Sequence, residues 1–319
     1  MAVPQVHGTN QYIMPINEHE RRRLNMQHTV VINQFGYLLD PTIKISGCDR
    51  ILDTGCGTGV WAGELSSQLP PSVQFECCDL STKLFPPQET YATLLPSGSN
   101  LHFSQQNVLS LPQEWTNSFD VVHQRLMVAC FPRPTWIAAL KALYRVTRPG
   151  GYIQLVERDQ GSLDPELLAS IDPAMARILG HMKELFDRNG MVWLLEQELP
   201  QMLEEVGFRK VVKRSKVFAL EGYGVARRSC GSGEELEDGL VPGSMAQSGV
   251  DSDASELECI VEIIRQFKPK VIGAGWGISA DEYERLIEST SMAWKDVAKT
   301  EKGIGFTWHW ITAQKVGSQ

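Results

Sequence analysis

Apolar residues recur along the chain in short runs, and polar or charged residues close several of those runs. Ile51-Leu52, Val73 to Cys78, Leu101 to Gln105, Phe119 to Val122 and Tyr152 to Val156 read as five strands. They end at Asp53, Asp79, Gln105, His123-Gln124-Arg125 and Glu157. Helical spacing fills some of the gaps. Trp61, Leu65 and Leu69 predict a short helix that Pro70-Pro71 stops, and Ile137, Leu140 and Tyr144 predict one from Pro134 to about Val146. Strands alternating with helices at this spacing predict an α/β fold built on a doubly wound parallel sheet.

The pattern continues on both sides. Asn17-x-x-Glu20 has the form of a capping box, and Leu24, Val31, Phe35 and Leu38 predict an amphipathic helix over 18–39. This helix covers a sheet edge or forms a lid. Leu168, Ile171, Met175, Ile178 and Met182 predict a helix over 165–188, and a second follows over 192–206. A basic sixth strand runs from Phe208 to Leu220, and its charges suit a solvated edge. Helices are predicted over 254–267 and 280–298, then a seventh strand over 306–314 with Phe306, Trp308, Trp310 and Thr312 on one face. The stretch 81–100 reads mainly as loop. Residues 229–264 hold nine acids and no Lys or Arg, and read as an acidic loop inside the fold. The expected organisation is an N-terminal extension and lid helix over 1–47, then one domain over 48–319 with helical insertions at about 160–206 and 221–303.

Composition narrows the function without naming it. The chain has 319 residues, 42% hydrophobic and 21% charged, which is ordinary for an enzyme. A net charge of −8 argues against a general nucleic-acid binder. No run is long enough to span a bilayer, and the first twenty residues lack the apolar core of a signal peptide. Seven cysteines without a Cys-x-x-Cys pair read as reduced thiols, so a cytoplasmic or nuclear setting and no metal centre are expected.

The candidate chemistry gathers at Asp53-x-Gly55-x-Gly57-x-Gly59. The glycines turn a strand end tightly into a helix and let a ligand approach the main chain. Val60 stands where a dinucleotide fingerprint needs its third glycine, and an acid before the turn suits a ligand with a cationic near end. This pattern resembles motif I of class I S-adenosylmethionine methyltransferases. Asp79, twenty residues beyond Gly59, sits where an acid receives ribose hydroxyls, and Asn107-Val108 falls where an amide faces an adenine edge. The Arg148-Pro149-Gly150-Gly151 turn before the fifth strand is a second methyltransferase-like signature.

Further stretches are similar to the fungal LaeA-like/UMTA-type methyltransferases. They are Tyr12-x-x-Pro15, Glu18-x-Glu20, Arg23-Leu24, Gln27-His28, Leu52 to Trp61, Asp79-Leu80-Ser81, Phe119-Asp120-x-x-His123-x-Arg125 and Arg148 to Gly151. Asn107 departs from the acid that many relatives carry. The resemblance covers about 12–157 and the last strand, and fades over 160–300. It implies a Rossmann-like, seven-stranded, mostly parallel sheet. It also implies S-adenosylmethionine as cofactor, with S-adenosylhomocysteine as product, and methyl transfer to N, O or S of a small molecule in fungal secondary metabolism. The alternative is a nuclear regulator of the same fold with weak or protein-directed activity. Asp53, Gly55, Gly57, Gly59, Asp79, Leu80, Asn107, Val108, His123 and Gln124 are the expected cofactor contacts. His123, Glu157 and Tyr12 are candidate catalytic groups, with His309 behind them, while His28 and Trp308 are candidate substrate contacts.

Overall fold

The computed structural model describes residues 15–46, 49–87, 100–161, 165–219, 256–297 and 305–317. In chain order they form α1 (Glu18–Phe35), β1 (Arg50–Thr54), α2 (Val60–Gln68), β2 (Gln74–Asp79), β3 (Leu101–Gln105), β4 (Phe119–Arg125), α3 (Arg133–Val146) and β5 (Thr147–Arg158). There follow α4 (Pro165–Ile171), α5 (Pro173–Arg188), α6 (Leu195–Val206), β6 (Arg209–Ala219), α7 (Glu256–Gly273), α8 (Ala280–Val297) and β7 (Gly305–Gln314).

The sheet has seven strands in the order β3-β2-β1-β4-β5-β7-β6. The first five pair in parallel, and β7 runs antiparallel between β5 and β6. The expected α/β fold with a seven-stranded, mostly parallel sheet is therefore what the chain adopts. The strand order reverses between β1 and β4, and ligands of open α/β sheets bind in the crevice at such a switch point.

Local chemistry explains most element ends. Asn17 accepts the Glu20 N–H at 3.0 Å, and Gly36 closes α1 in the left-handed region at φ 85°. The helix thus stops before Leu38 instead of running to 39. The predicted helix over 165–188 is two helices, because Asp172 breaks it and caps α5 by accepting the Met175 N–H. α7 runs on to Gly273 through Pro269, past its predicted end at 267. The Arg148-Pro149-Gly150-Gly151 stretch is not a turn ahead of a strand. It is the irregular start of β5, where pairing with β4 shifts register between Phe119 and Val121. A Cβ on Gly151 would lie 2.9 Å from the Asp120 carbonyl oxygen, so only glycine fits.

Helices cover both faces of the sheet. Trp136, Leu140, Leu143, Leu199 and Leu203 pack with Ile153 and Ile311 on one side. Val30, Val31, Trp61, Trp308 and Trp310 pack with Ile51 and Phe75 on the other. A third apolar cluster joins α5, α7 and α8 through Met175, Ile178, Phe267 and Tyr283. The basic residues of the β6 edge are tied down: Arg214 pairs with buried Asp40, and Lys216 donates to the Gln34 carbonyl. The 81–100 stretch is described only in part, with a short helical turn at Thr82–Leu84. Of the acidic stretch, 229–255 lie outside the described residues, as does Tyr12, while 256–264 are the first turns of α7 and not loop. No helix among the described residues is long and apolar enough to cross a membrane.

Candidate active site

A cavity of about 200 Å³ opens at the carboxyl edge of the sheet, over the switch point. Its floor is the turn from β1 into α2. Gly55, Gly57 and Gly59 all take positive φ (64°, 54° and 70°), which side chains with a Cβ adopt at a cost of about 1–2 kcal/mol each. A Cβ on Gly55 would meet Met127 Sδ at 3.0 Å, and one on Gly57 would meet Leu24 Cδ1 at 3.3 Å. The glycines therefore hold open the space between the strand end, α1 and the segment after β4. Thr58 Oγ1 donates to Asn25 Oδ1 at 2.8 Å and ties the turn to α1.

Asp79 closes β2 at the cavity wall. Its carboxylate accepts the Gly57 N–H on Oδ2 and the Ser81 N–H on Oδ1, both at 3.0 Å. Each oxygen keeps a second lone pair for a ligand. Burial pushes this carboxyl above its usual range, against the pull of those backbone donors. Leu80, Asn107 and Val108 line the adjoining wall. Asn107 Oδ1 caps a short turn by accepting the Leu109 N–H at 2.9 Å, so the donor half of the amide is the half left for a ligand.

The segment after β4 forms the next wall. Leu126 takes φ 61°, a strained value for its side chain. Glu157, at the end of β5, holds the strained segment in place. Its two oxygens accept the N–H groups of Met127 (2.9 Å) and Val128 (3.1 Å). Desolvation raises the Glu157 carboxyl to about 8 despite these bonds.

Arg125 contributes a guanidinium to the cavity. Its Nη1 donates to His28 Nδ1 at 2.9 Å, and His28 Nε2 lies 2.6 Å from Glu64 Oε2. This arrangement places the His28 proton on Nε2. Burial holds its pKa down to about 4, so the ring stays neutral. Arg125 falls to about 10 by burial and remains a cation at neutral pH. Arg23, Gln27, Arg158 and Gln160 add polar lining, while Met182, Phe186, Ile263 and Phe267 supply an apolar wall from α5 and α7.

Several expected site residues lie off the cavity. Asp53 is buried beneath the turn, where its Oδ1 meets His123 Nδ1 at 2.9 Å. The His123 ring is fully buried and stacks on Trp61 with centroids 3.6 Å apart, so it does not reach an acceptor. Its carbonyl accepts from Thr54 Oγ1, as does the buried Gln124 side chain. Glu157 is spent on the backbone, and His28 is locked between Glu64 and Arg125. Trp308 packs on Phe218 in the core. Gly59 acts through the start of α2 rather than at the cavity surface. Reading the sequence placed Gln27 in the lid helix but missed Thr54, Thr58, Arg23, Arg158, Gln160 and the residues from α7.

The methyltransferase-domain family matches residues 51–151, the span that builds the glycine turn, Asp79 and β4. The N-methyltransferase gliN of Aspergillus fumigatus is 30% identical over 208 residues, which are 62% of this chain and 71% of that protein. The chain belongs to the class I S-adenosylmethionine-dependent methyltransferases. The N-methyltransferase sirN of Leptosphaeria maculans is 27% identical over 256 residues, 77% of this chain and 85% of that one. Among solved structures, Haemonchus contortus phosphoethanolamine N-methyltransferase 2 with S-adenosyl-L-methionine aligns over 97% of this enzyme and 55% of that chain. The TM-score is 0.46, with 16% identity.

The residues present fit this cofactor. A cradle that a Cβ would fill faces a carboxylate with spare lone pairs and an amide with spare donors. Among the described residues that line the cavity, Asp79 is the carboxylate present, and it stands beside the glycine turn. The Cys130 thiol also lines the cavity, but burial pushes its pKa far up, so it is no thiolate.

Proposed function

We propose that this enzyme methylates a nitrogen of a small, uncharged, largely apolar molecule, within fungal secondary-metabolite biosynthesis. The carrying observation is the make-up of the acceptor end. Arg125 and Arg158 bring cationic guanidinium groups, Gln27 and Gln160 bring amides, and α5 and α7 bring an apolar wall. Cations there repel an ammonium and favour an acceptor whose oxygens take hydrogen bonds. The related gliN and sirN proteins, both named N-methyltransferases, support nitrogen as the atom.

Asp79 receives the ribose hydroxyls in this reading, and Leu80, Asn107 and Val108 bound the adenine. The glycine turn receives the amino-acid end. Bound there, S-adenosylmethionine supplies an electrophilic methyl group on a sulfonium. The chain's own work is then to orient and to exclude water. Glu157 fixes the 126–128 segment, and that segment positions the acceptor. Arg125, kept in line by neutral His28, holds an acceptor oxygen. A neutral amine nitrogen attacks through its own lone pair, the methyl–sulfur bond breaks with S-adenosylhomocysteine as leaving group, and the methylated nitrogen then gives a proton to solvent, so no base is required before attack. α1 serves as a cover, because its Arg23, Leu24 and Gln27 already form one wall.

Incubation with methyl-labelled S-adenosylmethionine and a panel of neutral amide and amine metabolites, read by mass spectrometry, tests the proposal. Labelled N-methyl product is expected. Label on oxygen or sulfur removes the choice of nitrogen. Cofactor binding with no transfer to any small acceptor points instead to a regulatory protein.

A further inference from the structure

Beyond the cavity, the structure gathers three polar side chains from separate parts of the chain. Asp159 follows β5, Glu196 lies in the first turn of α6, and His309 lies in β7. One donor atom of each lies within 4.8 Å of the other two, and all three residues are buried. Two acids alone would mean little. What distinguishes this group is the state of Glu196 and His309.

Glu196 is only 3% exposed, and among the described residues its carboxylate finds no closer support than its own main chain and the adjacent Gln197 side chain, while burial and Asp159 push its carboxyl up. The neighbouring cation, Lys213, donates to the Glu196 main-chain carbonyl at 3.3 Å. His309 is 5% exposed, and its Nε2 is also without a partner among the described residues. Its Nδ1 lies 2.8 Å from Ser215 Oγ. A ring that donates Nδ1–H to that hydroxyl keeps a bare lone pair on Nε2, the arrangement of a metal-binding histidine oriented through its other nitrogen. Burial and Lys213 hold the ring neutral, with a pKa down to about 4. Asp159 is oriented as well, because its Oδ1 accepts the Gly161 N–H at 2.6 Å.

A buried carboxylate supported only by its own helix turn, as that of Glu196 is, is expensive. We propose that Asp159, Glu196 and His309 form a binding site for one divalent transition-metal ion, of the Mn²⁺ or Zn²⁺ class. Two oxygens and one imidazole nitrogen suit such ions. An ion with bonds of about 2.0–2.2 Å holds its donors about 3–4 Å apart, so the side chains close by roughly an ångström on loading. The site takes no part in methyl transfer. Asp159 lies between Arg158 and Gln160, which both line the acceptor end. An ion there clamps the end of β5 to β7 and α6, and so fixes one wall of the cavity.

The test uses the full chain, stripped with a chelator and titrated with Mn²⁺ while the signal of the free ion is followed by electron paramagnetic resonance. One ion bound per chain is expected, displaced by one Zn²⁺, with a rise in melting temperature. Glu196→Gln should abolish stoichiometric binding. Ser215→Ala touches no metal ligand directly and should weaken Mn²⁺ by about 10- to 100-fold, the usual loss when a partner of a ligating histidine is removed. It decides the matter if Glu196→Gln fails to fold. No stoichiometric binding at millimolar Mn²⁺ overturns the proposal and leaves a proton-sharing acid cluster. Binding that Ser215→Ala leaves unchanged overturns it too.

Discussion

The two ends of the cavity are built in different ways. The end proposed for the cofactor comes from one stretch of chain, from β1 to the turn after β3, and main-chain geometry does most of its work. Glycines at positive φ and a carboxylate fastened by two backbone N–H groups leave little to move. The end proposed for the acceptor is assembled from α1, the segment after β4, the end of β5, α5 and α7, and side chains line it. A backbone-built site serves one ligand and tolerates few changes. A wall of side chains on inserted helices can be altered without disturbing the sheet beneath it.

The largest expected effect tests the cofactor end. Asp79→Ala removes an acceptor of charge-assisted hydrogen bonds and should weaken S-adenosylmethionine by about 2–4 kcal/mol, read by calorimetry. Asp79→Asn should retain part of the affinity. Unchanged affinity in a stable Ala variant would show that Asp79 merely ties the glycine turn to β2.

Glu157 joins the two ends, and pH probes it. Its folded pKa of about 8 lies above the ordinary value of 4.5. The protonated form is therefore favoured in the folded state. Its contribution to stability is complete below about pH 4.5 and is lost as pH rises through about 8. Melting temperature should fall between about pH 5 and 8 and level off above that. Glu157→Gln should flatten that slope, yet lower stability at pH 7 by about 1–3 kcal/mol, because its amide N–H₂ faces a backbone N–H. An identical slope in both proteins would assign the pH dependence to another group.

Phe267 tests the acceptor end. Phe267→Leu keeps an apolar side chain of smaller volume in a buried position and should cost about 1–3 kcal/mol of stability, the lost burial plus the cavity left behind. KM for the acceptor should change while affinity for S-adenosylmethionine does not. Equal changes in both would mean that the two ends are not separable.

This asymmetry also decides what could be read from the sequence. The strands of the sheet were legible because buried runs and their closing polar residues mark both ends. Asp79 and Asn107 follow from spacing along one continuous unit. Arg158, Ile263 and Phe267 could not be found that way, since they meet only after distant insertions fold back over the sheet. Side-chain direction at strand ends was lost for another reason. Successive residues face opposite sides of a strand, so an assignment one residue off selects the wrong face. Thr54 and Arg125 line the cavity, whereas Asp53 and Gln124 beside them point into the protein. The motif identifies the turn but does not say which of two neighbours looks outward.

The smallest effect sharpens the account of the cofactor end. Gly63 lies in α2, four residues past the last glycine of the turn, yet it shares none of their constraints. Its φ is not among the positive values, and a Cβ there meets nothing within 4 Å. Glycine inside a helix is less favourable than alanine by roughly 0.5–1 kcal/mol, because its unfolded backbone has more freedom to lose. Gly63→Ala should therefore raise stability by about that amount in chemical denaturation. Affinity for S-adenosylmethionine should stay the same, since the side chain would lie away from the cavity. Gly55→Ala makes the paired measurement. The same added methyl group meets Met127 Sδ at a backbone angle that disfavours it, so stability and affinity should both fall. If Gly63→Ala also lowers affinity, the rigidity of the cofactor end extends into α2, and the turn alone does not define the site.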